Sequence, residues 1–136
     1  HMRGTPADMQ TLTEYPDGVT AEVLRDLSVK LRTLRLAGVN DVIVDPGFGF
    51  AKTLEQNYRL MADLPMFAEM LDAPVLVGVS RKSMVTRALG ITAKDALNGT
   101  TVLNTIALLG GAQILRVHDV KACAEAVRIV SMLPQP

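Results

Sequence analysis

The chain has 136 residues, of which 49% are hydrophobic and 21% are charged, a length and composition typical of one globular domain with a sizeable core. Its 14 basic and 14 acidic side chains give a formal net charge of zero without a dense run of Lys or Arg, which argues against a nucleic-acid partner. Every apolar stretch is shorter than the roughly 20 residues that a membrane span needs, so we expect a soluble protein with no membrane partner.

The first predicted element is an amphipathic helix. Glycines and prolines mark the first 18 residues as mostly loop, and a run with helical spacing then continues until Gly38. The apolar positions of this run are Val19, Val23, Leu24, Leu27, Leu31 and Leu34. The opening His1-Met2 is either native or a remnant of a cloning site, and we assign His1 no metal-binding role.

A strand and a second helix are predicted next. Residues 42–44 form a β-branched run that is short enough for a buried strand. Thr53 and Gln56 have the spacing of a capping box, so a helix is expected to begin there. Pro65 and Pro74 are expected to lie in the connection to another strand at residues 75–79.

The remainder of the chain continues this alternation. Helical stretches at residues 84–89 and 92–109 are separated by Gly90, and a third strand is predicted at 114–117. Asp119 is expected to cap a last helix, with Cys123 as a small core residue on its apolar side, which is compatible with a reducing cytoplasm. The stripe expected to face inward is Val120, Ala124, Val127 and Val130. Residues 134–136 are expected to fray.

The order of elements predicts an α/β fold with parallel strands, because helices separate all three strands and no hairpin signal occurs. Such a pattern fits a small open sheet, and it fits equally the later part of a (β/α)8 barrel of about 250 residues. An open three-stranded parallel sheet would leave unpaired edges. We therefore expect a missing half or a partner chain to cover them.

A polar cluster follows each predicted strand, where parallel α/β folds bind their ligands. In the last cluster, Arg116 and His118 are two residues apart and should point the same way, since strand side chains alternate. A guanidinium and an imidazole that converge suit a phosphate or another anion. The alternative is a structural ion pair with Asp119.

The middle cluster is Ser80-Arg81-Lys82-Ser83. It differs from a serine-hydrolase nucleophile elbow because Lys82 occupies the position that requires glycine. Lys82 can donate hydrogen bonds, Ser80 offers a hydroxyl, and Gly78 leaves room near the backbone. The cluster predicts a polar ligand pocket, and the alternative is a solvated basic turn.

The first cluster comprises residues 45–50, which we call the phenylalanine loop. It is not a phosphate-binding loop, because Ala51 stands where glycine is needed before Lys52. Asp45 is suited to accept paired N–H bonds from an amino-substituted heterocycle, while Phe48 or Phe50 could cover an aromatic ring. The alternatives are a structural acceptor for Asp45 and core packing for the phenylalanines. We find no zinc spacing, no dinucleotide fingerprint and no metal ligands, and we assign no catalytic residue.

Taken together, the three clusters resemble dihydropteroate synthase of the pterin-binding family, in order and in spacing. The clusters that carry this resemblance are Asp45-Pro46-Gly47-Phe48-Gly49-Phe50, Ser80-Arg81-Lys82-Ser83 and Arg116-Val117-His118-Asp119. Residues 1–6 resemble the segment after the family's fifth strand, which favours a native His1-Met2. The resemblance implies that residues 1–136 are a single domain, the C-terminal portion of a TIM barrel after strand five.

The resemblance also implies an activity. Such enzymes condense 6-hydroxymethyl-7,8-dihydropterin pyrophosphate with p-aminobenzoate, releasing pyrophosphate and 7,8-dihydropteroate in folate biosynthesis; they need magnesium and are inhibited by sulfonamides. The implied roles are pterin binding for Asp45, Lys82 and Gly78, the p-aminobenzoate side for Ser80 and Phe50, and pyrophosphate binding for Arg116 and His118.

The same resemblance implies that half of the pocket lies outside this chain. The family's first four strands, which carry further pterin-binding residues and the magnesium-binding loop, would precede residue 1. We expect the chain alone to condense nothing, and to act in the cytoplasm as a homodimer or with the N-terminal half in another chain. The alternatives are a non-catalytic half-barrel that binds pterin or pyrophosphate or serves in assembly and, less favoured, a pterin-binding methyltransferase.

Overall fold

The computed structural model describes residues 1–134, so that Gln135 and Pro136 of the tail expected to fray lie outside the described residues. Helices and short parallel strands alternate along this part of the chain. The α-helices are α1 (Val19–Leu36), α2 (Leu54–Ala62), α3 (Leu64–Met70), α4 (Ser83–Leu89), α5 (Leu97–Leu109) and α6 (Val120–Val130). The strands are β1 (Leu76–Val77) and β2 (Ile114–Leu115), and 3-10 turns occupy Met9–Thr11 and Ala93–Asp95.

Three extended segments lie side by side in parallel. Strand β1 pairs with β2, with Leu76 opposite Ile114. On the other side of β1, Val44 forms an isolated parallel bridge with Val75. The N–H of Leu76 donates to the carbonyl of Val44 at 2.7 Å. The carboxyl ends of all three segments therefore point the same way, which confirms the predicted α/β class.

The first of these segments is less regular than predicted. Residues 42–44 were expected to form a buried strand, but only Val44 is bridged and buried, while Ile43 is 53% exposed. Among the described residues, the segment pairs on one side only, with the chain around Val75, and this pairing is limited to one bridge. Pairing in the other two segments also stops early, at the bond from the Arg116 N–H to the Val77 carbonyl.

The core lies on one face of the three segments. Val75, Val77 and Val79 are all completely buried, together with Phe67 of α3. Because side chains alternate along a strand, Gly78 and Ser80 point to the opposite face from these valines. The burial of the three valines thus determines that Gly78 and Ser80 lie on the face of this segment opposite the core.

The helix signals are mostly confirmed. Thr53 and Gln56 form the predicted capping box, with both reciprocal bonds present at 2.9 and 3.2 Å. Helix α1 ends at Leu36, two residues before Gly38, whose φ is +84°, and Gly90 ends α4 in the left-handed conformation. Pro65 does not lie in a connection: it is the second residue of α3, in the first turn, where its missing N–H costs no hydrogen bond.

Helix α6 differs from the prediction in the face that it buries. Cys123 is buried as expected, but the other buried residue is Ala126, while Val120 is 69% exposed and Val127 is also exposed. The buried side is the one that packs against α5, and no described residue covers the valine stripe. Asp119 is at the predicted cap position but makes no capping bond, because its carboxylate binds Arg81 instead.

Within residues 1–134, none of the helices has both the length and the apolar character required to cross a membrane.

Two glycines with nearly equal φ angles allow a direct test of the backbone packing under the phenylalanine loop. Gly47 has φ +78°, and a Cβ built there would lie 1.8 Å from the carbonyl oxygen of His1, whereas Gly38 has φ +84° and open space around it. We expect Gly38→Ala to lower the free energy of unfolding by about 1–2 kcal/mol, the cost of a left-handed residue with a side chain. Gly47→Ala should cost more than this, because the backbone of His1 must also move. Urea unfolding of both variants measures the difference, and equal losses would contradict the close packing.

Candidate functional site

The loops after the strands meet at a cleft of about 360 Å³. This cleft is lined by Gly78, Ser80, Arg81, Lys82, Ala93, Arg116 and His118. The structure thus brings together the second and third clusters singled out in the sequence. A larger groove of about 580 Å³ between α5 and α6 lies away from the strand ends. We place the candidate site in the smaller cleft because the basic side chains converge there.

Arg116 and His118 both reach this cleft. Arg116 is exposed, and its guanidinium makes no hydrogen bond or ion pair with any of residues 1–134. His118 is held by Ser80, whose hydroxyl lies 2.9 Å from Nδ1 of the ring and accepts the His118 backbone N–H at 3.2 Å. The guanidinium is therefore available for an anion, and the imidazole has a fixed orientation beside it.

Arg81 binds Asp119, the acid that the sequence offered as an alternative partner of Arg116 and His118. Its guanidinium donates two bonds to the Asp119 carboxylate, at 2.7 and 2.9 Å, and a further bond at 2.7 Å to the carbonyl of Ala93. The hydrogen bonds within this pair lower the pKa of Asp119 and raise the pKa of Arg81. The predicted alternative of a solvated basic turn is therefore wrong for Arg81, which ties two strand-end loops together.

The conformation of Arg81 carried no signal in the sequence. Its φ of +55° lies in the left-handed region, which usually favours glycine. Its backbone N–H donates to the hydroxyl of Thr100 at 3.0 Å, which holds the turn in this conformation. The side chain consequently points along the turn toward Asp119 instead of into solvent.

Lys82 lies where the three clusters meet. Its ammonium donates to the carbonyl of Phe48 at 2.8 Å and lies 4.7 Å from the centroid of the Phe50 ring. Burial lowers the pKa of Lys82; Asp45 opposes this shift, while the charge of Arg116 adds to it. The phenylalanine loop therefore contacts the cleft through this one lysine, which can donate a hydrogen bond to a ligand beside an aromatic ring.

The phenylalanine loop itself resolves two of the alternatives left open above. The first carboxylate oxygen of Asp45 accepts the N–H of Gly47 at 2.8 Å, so Asp45 is a structural acceptor in part. Its second oxygen has no hydrogen-bond partner among residues 1–134. Phe48 is completely buried and belongs to the core, whereas Phe50 is half-buried. Phe50 is therefore the aromatic side chain of this loop that can contact a ligand.

Gly78 forms part of the cleft wall. A Cβ added there would lie 3.7 Å from the Cβ of Arg116, which is an ordinary contact distance. The absence of a side chain therefore leaves space in the cleft and is not required by the packing of the protein.

Sequence reasoning missed Lys52 as part of the site. This side chain is only 4% exposed, and its ammonium donates to the carbonyls of Gly47 at 2.9 Å and Phe50 at 3.0 Å. Burial lowers its pKa to about 8, although Asp45 opposes the shift. The sequence carried no signal for this burial, which depends on Ala51: its φ of +52° turns the chain back so that Lys52 lies beneath the loop. An alanine in a glycine-like position predicted nothing by itself.

Residues 1–134 contain no group of three or more His, Cys, Asp or Glu side chains that could hold a metal ion. The side chains around the cleft are mainly cationic, which suits an anionic ligand better than a cation.

Comparison with known proteins gives a consistent result. The family model described as pterin binding enzyme matches residues 1–118. Dihydropteroate synthase of Escherichia coli is 42% identical over 132 residues, which cover 96% of this chain and 46% of that protein. The chain thus spans about half the length of the curated relatives it matches.

Solved structures show the same partial coverage. Dihydropteroate synthase of Thermus thermophilus, solved in complex with 6HMPPP and with 4-aminobenzoate, superposes with a TM-score of 0.92 and 38% identity, over 98% of this chain and 53–54% of its own chains. The Yersinia pestis enzyme in a sulfonamide drug complex gives 0.90 and 39%, over 96% of this chain and 48% of its own. The fold is accordingly that of the second half of a TIM barrel, which confirms the barrel interpretation over a small open sheet.

The buried ammonium of Lys52 should make stability depend on pH. Its folded pKa of about 8 is below the roughly 10.4 of an unfolded lysine, so between these values the unfolded chain binds more protons and the free energy of unfolding rises with pH. The total rise is on the order of 3 kcal/mol, and below pH 8 the penalty stays at its full value. Urea unfolding at pH 7 to 10 should show this rise in the wild type relative to Lys52→Met. Parallel curves for the two proteins would contradict a buried charged lysine.

Proposed function

Because the chain belongs to the pterin-binding enzyme family, we propose that it is the C-terminal half of a dihydropteroate synthase. The reaction would join the methylene carbon of 6-hydroxymethyl-7,8-dihydropterin pyrophosphate to the amine of p-aminobenzoate, with release of pyrophosphate. The observation that carries the proposal is the cleft itself, in which Lys82, Arg116 and His118 converge beside Phe50.

The pterin would bind between Asp45 and Lys82. The free carboxylate oxygen of Asp45 can accept N–H bonds from the amino-substituted ring, and Lys82 can donate to an acceptor on the same ring. Gly78 leaves room in the wall of the cleft for a flat heterocycle. The charge of Asp45 also favours a pterin that becomes cation-like as pyrophosphate departs.

The pyrophosphate would bind to Arg116 and His118. The Arg116 guanidinium has no partner among the described residues, so no ion pair with a protein carboxylate has to be broken before it binds an anion. Ser80 orients the imidazole of His118, whose Nε2 has no described hydrogen-bond partner. Fixed donors of this kind stabilise the charge that develops on a leaving group when the carbon–oxygen bond breaks.

The amine substrate would approach from the side of Phe50. The ring is held against Lys82, and relatives have been solved with 4-aminobenzoate and with a sulfonamide drug. We propose that p-aminobenzoate and sulfonamides compete there, so that the amine is in line with the departing pyrophosphate and loses a proton after attack. Ser80 stays a predicted neighbour of this substrate, and its two bonds to His118 also support a role in orienting that ring.

Magnesium, a homodimer and a cytoplasmic location belong to the same proposal. Residues 1–134 offer no cluster of ligands that fits a metal ion, so we expect the magnesium ligands to lie outside these residues. The exposed apolar stripe of α6 beside β2 supports association with another polypeptide segment, either the N-terminal half or a second copy.

A second candidate is a half-barrel that binds pterin or pyrophosphate without catalysis. The observation that favours it is that cationic side chains line the cleft, while none of its described lining residues has a carboxylate or amide side chain. Such a module would bind inorganic pyrophosphate but would not form dihydropteroate in any combination.

Complementation separates the two candidates. We expect this chain alone to form no dihydropteroate from the pterin pyrophosphate, p-aminobenzoate and magnesium, because only half of the pocket is present. A chimera in which the chain follows the N-terminal half of the Escherichia coli synthase should be active. A folded but inactive chimera would contradict the proposed enzyme, and activity of the chain alone would contradict the need for a second half.

Arg116→Ala should weaken the binding of pyrophosphate by roughly 10- to 100-fold, since a hydrogen bond to a charged group contributes about 1.5–3 kcal/mol. The matched control is Arg128→Ala, which removes an exposed arginine on α6 that has no ion pair among residues 1–134. Titration calorimetry with inorganic pyrophosphate measures both variants. Equal losses would indicate binding by general charge and not by the cleft.

A further inference from the structure

A chain of hydrogen bonds runs beneath the phenylalanine loop and has no part in the proposed chemistry. Asp26 of α1 lies 3.0 Å from Nε2 of His1, and Nδ1 of His1 lies 3.3 Å from the ammonium of Lys52. Lys52 then donates to the carbonyls of Gly47 and Phe50. We call Asp26, His1 and Lys52 the relay. The His1 side chain is only 1% exposed, while Asp26 is 43% exposed, so the relay connects the surface with the buried side of the loop.

The chemistry of its members orders the protons along the relay. The Asp26 carboxylate can only accept, so Nε2 of His1 carries hydrogen and Nδ1 is left as an acceptor. Lys52 then uses its three N–H groups on three acceptors, namely Nδ1 and two loop carbonyls. This arrangement requires a charged Lys52 and a neutral His1. A second proton on His1 would point at the ammonium and break the contact.

Two lysines hold the loop from opposite sides. Lys52 bonds Gly47 and Phe50 from the core, and Lys82 bonds Phe48 from the cleft. Lys82 therefore contacts the loop where a ligand would bind, whereas Lys52 is shielded from the cleft by the loop. Loss of the Lys52 proton would leave two N–H groups for three acceptors and would remove the positive charge that strengthens the bonds to the carbonyls of Gly47 and Phe50, the aromatic residue next to the cleft.

We propose that Lys52 is a positioning residue, which holds Phe50 in place for the aromatic amine substrate only while the relay keeps the lysine charged. The functional part of this inference rests on the proposed function, and the structural part does not. Lys52 touches no ligand in it: the ammonium acts through the backbone of the loop. The site would consequently lose its aromatic wall as the pH rises past the titration of one buried lysine.

The charges around Lys52 are consistent with titration close to neutral pH. Burial is the main cause that brings its pKa to about 8, Asp45 opposes the shift, and Arg3 and Lys82 add to it. The imidazole of His1 and, in this chain, its terminal amine also face the lysine; the pKa of the amine is lowered by burial. Controls must therefore distinguish Lys52 from Lys82 and from this amine.

The position of Phe50 can be followed without any activity. The chain has three phenylalanines, Phe48, Phe50 and Phe67, so that 4-fluorophenylalanine gives three fluorine resonances, and Phe50→Leu identifies the relevant one. In the wild-type chain we expect the Phe50 resonance to shift with a midpoint near pH 8, while that of Phe67 stays constant. Lys52→Met should abolish the shift, although the terminal amine is still present.

Three further variants keep the test decisive if Lys52→Met does not fold. Lys82→Met removes a charge that lowers the pKa of Lys52, so the titration should persist with its midpoint moved to higher pH; loss of the titration in this variant would overturn the proposal. His1→Leu removes one acceptor of the ammonium and should move the midpoint to lower pH; an unchanged midpoint would likewise overturn it. Tyr15→Phe removes a non-titrating bond to the Ala51 carbonyl and should leave the pH dependence unchanged.

Kinetics of the chimera test the functional part. We expect kcat/KM for p-aminobenzoate to fall above pH 8 in the wild type, and to be lower by roughly 10- to 100-fold with no such limb in Lys52→Met. A fluorine titration in an inactive chimera would sink the proposed enzyme and leave the structural role of Lys52 standing. An active chimera without the alkaline limb would sink the role of Lys52 alone.

Discussion

The arrangement of this site depends on how the carbonyl groups of one glycine-rich loop find their hydrogen-bond donors. Residues 45–50 follow a short extended segment and make no ladder of their own, so each buried carbonyl must be satisfied by another part of the chain. Two ammonium groups, Lys52 from the core and Lys82 from the cleft, bond the carbonyls of Gly47, Phe48 and Phe50. The amine of His1 and the side chain of Gln10 supply the bonds to two further carbonyls of the loop. A lysine buried in this way pays a desolvation cost that only several acceptors can offset. The loop and the two lysines are thus mutually dependent, and the position of Phe50 follows from both.

A second ion pair determines which charges remain free. Arg81 binds Asp119 bidentately and shares its remaining donors with backbone carbonyls, which satisfies both ions within a few ångströms. Asp119 is the acid closest in sequence to Arg116 and His118, so this pairing leaves these two side chains without a carboxylate competitor in the described structure. A chain with zero formal net charge can in this way present a locally cationic cleft. The ion pair of Arg81 with Asp119, which binds no ligand in this proposal, therefore leaves Arg116 and His118 available to one.

The sequence predicted those parts of the fold and site that depend on local spacing. The capping box of Thr53, the glycine ends of α1 and α4, and the common direction of Arg116 and His118 all follow from periodicity or from residue type. The sequence-based predictions failed where contacts between distant segments determine the position of a side chain. Arg81 contacts Asp119, 38 positions away in the sequence, and Lys52 contacts His1, 51 positions away. Periodicity and local motifs do not predict contacts between residues so far apart. The valine stripe of α6 was misplaced for the same reason, since amphipathicity identifies an apolar face but not what covers it.

The exposed apolar surfaces at the two edges of the sheet are those that a closed barrel would cover. Parallel strands are normally buried on both faces and paired on both edges, yet here Ile43 is exposed at one end of the row of segments and the apolar side of α6 is exposed at the other, beside β2. In a closed barrel both regions would be adjacent to strands of the other half, and closing it would bury them at the same time. The cleft opens at the carboxyl ends of these same segments, so the polypeptide that covers the two edges would also complete the wall opposite Lys82. For the proposed synthase, the burial of apolar surface and the assembly of the substrate pocket would therefore be one event.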